Sequence, residues 1–324
     1  MLSEIRVAPS PNLPNRDSLK VLTRFGIEKV CKPIDSVLTP RCAIMEHAMT
    51  EAIPSSDYLL GNTDAEHERL IRQAARLAPV TERFFRDAGI GPGQRVLDLG
   101  SGVGDVAMLA ARLVGPSGEV VGIERDTRSI TRAKARAAEA GLRNVTFTQS
   151  DVAQFSNDKP FYAAVGRYIL QFLPDPVAVL RSLAHQVRPG GVFAFQEQSW
   201  APFVLLSAHL PLWSAGVSLF FEVGRRSGLN MEMGLALYKV FQDAGLPAPS
   251  MRLEMELGSD PDFTRWVSDV VVSLLPRIQE LNLSLETLGD LDTLPGRLQK
   301  EVASSNTVVP WLALVGASCR SPVS

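Results

Sequence analysis

One glycine-rich turn constrains this chain more than any other feature. Val96-Leu97-Asp98-Leu99 runs into Gly100-Ser101-Gly102-Val103-Gly104-Asp105, and an Ala- and Leu-rich segment follows as far as Val114. The pattern predicts a buried strand, a sharp turn and a helix. Glycines there let the backbone reverse and let a ligand lie against bare main chain. The helix that follows offers unpaired N–H groups to a polar or anionic group. A dinucleotide fingerprint, G-x-G-x-x-G, fails because its last position is Asp105. A Walker A loop fails because no Gly-Lys-Ser/Thr closes the turn.

Strands and helices alternate around this turn. The apolar patterns predict strands over 95–99, 119–124, 144–149, 161–165 and 192–196, with helices over 103–114, 128–140 and 176–187. That rhythm implies a parallel sheet covered on both faces. Upstream, Asp64 is read as the cap of a helix reaching about Ala88, kinked or split by Pro79. After Glu197 the rhythm changes. Residues 199–227 read as aromatic and loosely helical, 231–244 as an amphipathic helix, 251–257 as a one-sided strand, 261–305 as mostly helical and 311–319 as a last strand. Two late strands suit an antiparallel edge. The expected fold is α/β: a mostly parallel seven-stranded sheet with an antiparallel edge strand, helices on both faces and a helical cap insertion.

The expected organisation is an N-terminal extension over 1–57, partly disordered, then a ligand-binding core over 58–199. A helical cap over 200–310 with a late strand follows, and the last core strand with the C-terminus occupies 311–324. The prolines at 9, 11 and 14 set the first segment apart. Of the 324 residues 45% are apolar and 21% charged, enough to bury a core without disulfides or metal. A net charge of −2 and the lack of any Lys/Arg run argue against nucleic acid as a partner. Cys31, Cys42 and Cys319 form no CxxC pair and read as free thiols in a reducing cytoplasm. No run of about 18 apolar residues predicts a membrane span. His47, His67 and His185 stand apart without metal-ligand spacing, so no catalytic metal is expected.

The order of motifs resembles class I, Rossmann-like S-adenosylmethionine-dependent methyltransferases, in the branch similar to ubiquinone/menaquinone-biosynthesis methyltransferases. It spans about residues 58–198. Gly100-x-Gly102-x-Gly104 after Asp98 matches the family's first motif. Val120-Val121-Gly122-Ile123-Glu124 matches the second strand, with Glu124 20 residues after Gly104. Gln149-Ser150-Asp151-Val152 and Gly166-Arg167-Tyr168-Ile169-Leu170-Gln171 match the third and fourth strand motifs. Arg188-Pro189-Gly190-Gly191 matches the turn before strand five.

The resemblance implies S-adenosyl-L-methionine as cofactor. It assigns Asp98, Gly100, Ser101, Gly102 and Gly104 to the cofactor turn. Glu124 with Arg125 falls to the ribose, Asp151 and Val152 to the adenine, and Arg167 to the same site. Tyr58 and Gln73 fall in the lead-in that closes over the methionine end. Each residue also has a plainer reading, the glycines as backbone geometry and the carboxylates as solvated strand ends.

Methyl transfer is an in-line displacement, so the protein mainly aligns the nucleophile and excludes water. His209 is the candidate base; its plainer reading is a helix histidine in an aromatic lid. Gln171, Glu197, Trp200 and His209 are expected to line the acceptor pocket. Arg225-Arg226 reads either as an anion contact or as a solvated face. The apolar, Trp- and Phe-rich cap suggests a small, mostly apolar acceptor, with O-methylation ahead of C-methylation. The same cap suits a dimer interface, so a homodimer stays open. Two other classes stay open: a nucleic-acid or protein methyltransferase, and a non-catalytic cofactor-binding or interaction protein. The Asn-Pro-Pro-Tyr type motif of amino-methylating DNA enzymes is absent at Gly166-Arg167-Tyr168-Ile169.

Overall fold

The structure, a computed structural model, describes Gly61 and residues 63–322. Tyr58, Cys31, Cys42, His47 and the extension over 1–57 lie outside the described residues.

Seven strands form one sheet in the order β3-β2-β1-β4-β5-β9-β6. They are β1 (Arg95–Leu99), β2 (Glu119–Glu124), β3 (Val145–Gln149), β4 (Phe161–Arg167), β5 (Val187–Ser199), β6 (Ser250–Glu254) and β9 (Ala313–Arg320). Pairings among β1 to β5 are parallel. β9 runs antiparallel to both β5 and β6. The expected α/β architecture is therefore present. Its antiparallel strand is β9, seated between β5 and the edge strand β6.

The strands are apolar runs because both sheet faces are covered. Val96, Val120, Ala163 and Val165 pack with one layer of helices, α1 (Asp64–Asp87), α2 (Asp105–Val114) and α3 (Thr127–Glu139). Leu97, Leu99, Val121 and Ile123 pack with the other, α4 (Pro176–Ala184) and α7 (Met233–Asp243). A third cluster gathers Trp200, Phe203, Trp213 and Trp266. It is carried by α5 (Ala201–Ser207), α6 (Pro211–Arg226), α8 (Trp266–Ser273) and their neighbours.

Three expectations need correction. Pro79 neither splits nor ends α1, which is one helix capped by the Thr63 side chain rather than by Asp64. Pro79 and Ala75 both lie on the exposed face, so the carbonyl left without its N–H partner faces water. β5 is far longer than 192–196, because eight of its residues pair with β9, from Val192↔Arg320 to Ser199↔Ala313. The late strand stops at Glu254; Leu257–Gly258, β7, pairs instead with Val309–Pro310, β8, in a separate two-stranded ladder.

Strand order reverses beside β1, with β2 on one flank and β4 on the other. In an open parallel sheet this is the switch point where a crevice opens at the carboxyl ends of the strands. Among the described residues no helix is long and apolar enough to cross a membrane.

Candidate active site

A cavity of about 730 Å³ occupies that crevice, bounded by the ends of β1 to β4, by α1 and by the cap helices. Gly100 has φ +60° and Gly102 φ +51°, left-handed conformations that favour glycine. A Cβ built on Gly102 meets nothing within 4 Å and would stand in the cavity. A Cβ on Gly100 would lie 2.4 Å from Ile169 Cδ1, so the turn after β4 packs directly on this glycine.

Glu124 ties the glycine turn to β2. Its Oε2 accepts the Gly102 N–H at 2.9 Å, while Oε1 accepts those of Arg125 at 2.7 Å and Asp126 at 3.0 Å. Asp98 lies beneath the turn and is 1% exposed. Burial pushes its carboxyl well above the usual range, against the pull of Arg167. Among the described residues its Oδ2 and the Ser101 hydroxyl are buried without a partner. Arg167 donates to Thr81 Oγ1 at 2.8 Å, and burial lowers its pKa. On α1, Arg69 makes two 2.7 Å contacts with Glu66 and donates to Gln73 Oε1 at 2.9 Å.

The side of the cavity toward the cap helices has a different character. Phe220, Leu229, Trp266, Val270 and Leu312 face it, with Tyr168, Gln171 and Gln198 as polar neighbours. Gln198 donates to Gln171 at 2.7 Å. Tyr168 takes φ +58°, and its hydroxyl is buried without a partner among the described residues.

Most residues expected from the sequence meet in this one cavity: Gln73, Gly100, Ser101, Gly102, Glu124, Arg125, Asp151, Val152, Arg167 and Gln171 all line it. Asp98 supports it from below. Gly104 caps α2 and packs on Phe147 and Ala133 rather than facing the cavity. Two expected acceptor contacts sit one layer back. Glu197 is fully buried, and its Oε1 accepts the N–H groups of Ile169 and Leu170. Trp200 is fully buried and stacks on Phe220 with centroids 4.4 Å apart. His209 does not line the cavity: its ring is exposed, with Nε2 3.4 Å from Thr307 Oγ1. It sits in the turn between α5 and α6 and points outward, which the sequence pattern could not reveal. Arg225 and Arg226 pair with Glu222 on an exposed face. Arg69, which falls in the same lead-in as Gln73, also lines the cavity, whereas the sequence does not single out Tyr168, Gln198, Phe220 and Trp266 as site residues. Tyr168 had a signal, its place directly after Arg167 in the fourth motif; the others are brought in by tertiary packing.

Comparison with known proteins fits this picture. A methyltransferase-domain family profile matches residues 90–226. Arsenite methyltransferase of Halobacterium salinarum is 31% identical over 118 residues, 36% of this chain and 30% of that protein. Demethylmenaquinone methyltransferase of Staphylococcus aureus is 27% identical over 143 residues, 44% of this chain and 55% of that protein. The chain thus spans less than two thirds of the length of either relative. In structure, a candidate methyltransferase from Bacillus halodurans superposes with a TM-score of 0.51 at 16% identity, covering 75% of this chain and 98% of that one, which is a likeness of fold. The chain therefore carries, over residues 90–226, a domain of the class I, Rossmann-like S-adenosylmethionine-dependent methyltransferases.

Proposed function

We propose that this chain transfers a methyl group from S-adenosylmethionine to a small, mostly apolar acceptor, on oxygen ahead of carbon. The observation that carries the reading is the continuity of one cavity from the glycine turn and Glu124 to an aromatic chamber. The residues fit the cofactor. Gly102 leaves bare backbone toward the cavity, and Ser101 Oγ and Asp98 Oδ2 are buried polar atoms in need of partners. Glu124 would take the ribose hydroxyls, with Arg125 beside it, and Asp151 with the Val152 backbone would take the adenine. The glycine turn, Arg167 and Gln73 would hold the methionine end, together with Tyr58 from outside the described residues. The cofactor supplies an electrophilic methyl group on a sulfonium. The protein aligns the acceptor and excludes water. A small molecule rather than nucleic acid is supported by the net charge of −2 and by the apolar walls of the chamber.

Isothermal titration with S-adenosylmethionine and S-adenosylhomocysteine tests the cofactor. A screen of apolar acids and phenols beside tRNA and DNA tests the acceptor. Binding of a nicotinamide dinucleotide in place of both compounds, or turnover confined to nucleic acid, would overturn the proposal.

A further inference from the structure

The titratable groups facing the cavity divide sharply by place. Its carboxylates all lie on the glycine-turn side or at helix starts, and each is already engaged. Glu124 holds three backbone N–H groups. Asp105 pairs with Arg136 at 2.7 Å. Asp126 and Asp175 cap the helices that follow them. Asp151 accepts the Ala153 N–H at 2.8 Å and faces Arg125. No His, Lys or Cys lines the cavity among the described residues. Around Phe220 and Trp266 there is thus no base, whereas a general base is worth about 10²–10⁴ in rate to an acceptor that must lose a proton as it reacts.

The same chamber does hold a donor. The Tyr168 hydroxyl is buried and unpartnered among the described residues, an arrangement that is costly unless something fills it. Its backbone sits in the left-handed region, a strain that persists where the surroundings fix a residue for a task. Burial raises its pKa, with the carboxyl of Glu197 adding to the rise and the guanidiniums of Arg167 and Arg69 opposing it, so it keeps its proton and donates. The walls beside it are flat rings, Trp266 and Phe220, the latter backed by Trp200.

We infer that the acceptor enters this chamber already ionised, as a phenolate, and that the Tyr168 hydroxyl donates a hydrogen bond to its nucleophilic oxygen. This rests on the methyl-transfer reading above. The proton leaves to water before binding. An oxygen lone pair then forms the O–CH₃ bond while the CH₃–S bond breaks and its electron pair stays on sulfur, leaving a neutral ether and a thioether.

The test uses the full chain with 4-nitrophenol, 4-cyanophenol, phenol and cyclohexanol as probes. First, S-adenosylhomocysteine binding is measured; its absence sinks the methyltransferase reading itself. With that complex, 4-nitrophenol is expected to bind as the coloured phenolate. Tyr168→Phe is expected to weaken that binding about tenfold and leave S-adenosylhomocysteine affinity unchanged. With S-adenosylmethionine, the midpoint of the kcat/KM profile against pH is expected to move with the pKa of each phenol, and cyclohexanol is expected to stay unmethylated. The inference is overturned if no phenol binds or the bound probe is the neutral phenol. It also falls if Tyr168→Phe binds phenolate as tightly, if one midpoint serves every phenol, or if cyclohexanol is methylated.

Discussion

Glu197 Oε1 accepts the backbone N–H of Leu170 at 2.8 Å, joining the end of β5 to the turn that follows β4. The neighbouring Ile169 N–H shares that oxygen, and the Ile169 side chain packs on Gly100. One buried carboxyl therefore braces the floor of the cavity without facing it.

Burial raises the Glu197 pKa to about 8 from 4.5, against the pull of the backbone N–H groups it accepts. The folded chain thus holds a proton that the unfolded chain releases between those values. Stability from this group is complete below about pH 4.5 and is lost as pH rises through 8. Glu197→Gln, which keeps an acceptor oxygen, is expected to remove that decline, of which the part above pH 6 is worth about 2–3 kcal/mol. Urea unfolding at about pH 6 and pH 9 measures it; an equal pH response in both proteins would contradict it.

Glu124 both braces the glycine turn and stands at the ribose position. Glu124→Ala is expected to weaken S-adenosylhomocysteine binding by about 1.5–3 kcal/mol, read by isothermal titration. Glu124→Gln, which retains an acceptor for the Gly102 N–H, is expected to lose less. Unchanged affinity in both variants would reduce Glu124 to a strand-end carboxylate.

Two glycines of the turn should fail in different ways. Gly102→Ala points a methyl into the cavity at φ +51° with no neighbour within 4 Å, so cofactor affinity is expected to fall at least about tenfold while the fold is retained. Gly104→Ala meets Phe147 Cζ at 2.9 Å and Ala133 Cβ at 3.0 Å, so it is expected to lower stability by about 1–3 kcal/mol. Titration and thermal melting of both variants separate the two outcomes. The same dominant defect in both would show that the glycines share one role.

His209 lies outside the cavity, so His209→Ala is expected to keep the full methyl-transfer rate on any acceptor that the parent methylates. A hundredfold loss of kcat with the fold intact would restore it as the base.

The parallel half of the sheet was legible because its strands are apolar on both faces and its turns carry glycine. Strands β1 and β2 were read with the bounds the structure gives them. The cofactor side of the site was legible for the same reason: its residues follow strand ends, and strand ends are visible in sequence. The acceptor side was not. Trp266 reaches Gln73 across 193 residues, and Glu301 holds the N–H groups of Leu212 and Trp213 at 2.8 Å from nearly ninety residues away. Nothing local in the sequence announces such pairs. The end of β5 was missed because Glu197, Gln198 and Ser199 look solvated, yet all three are buried between β9 and the cap.

The place of β9 sets an order of events for a nascent chain. β5 and β6 are both paired to this one strand, which is synthesised after every cap helix. Until Ala313–Arg320 clears the ribosome, β5 presents an open edge and β6 has no strand to join. Such a bare edge invites pairing with other chains, and ladders closed over long sequence separations form slowly. The cavity floor at Glu197 lies on that edge, so the site is completed last, and the span of synthesis between β5 and β9 is when a chaperone has most to protect.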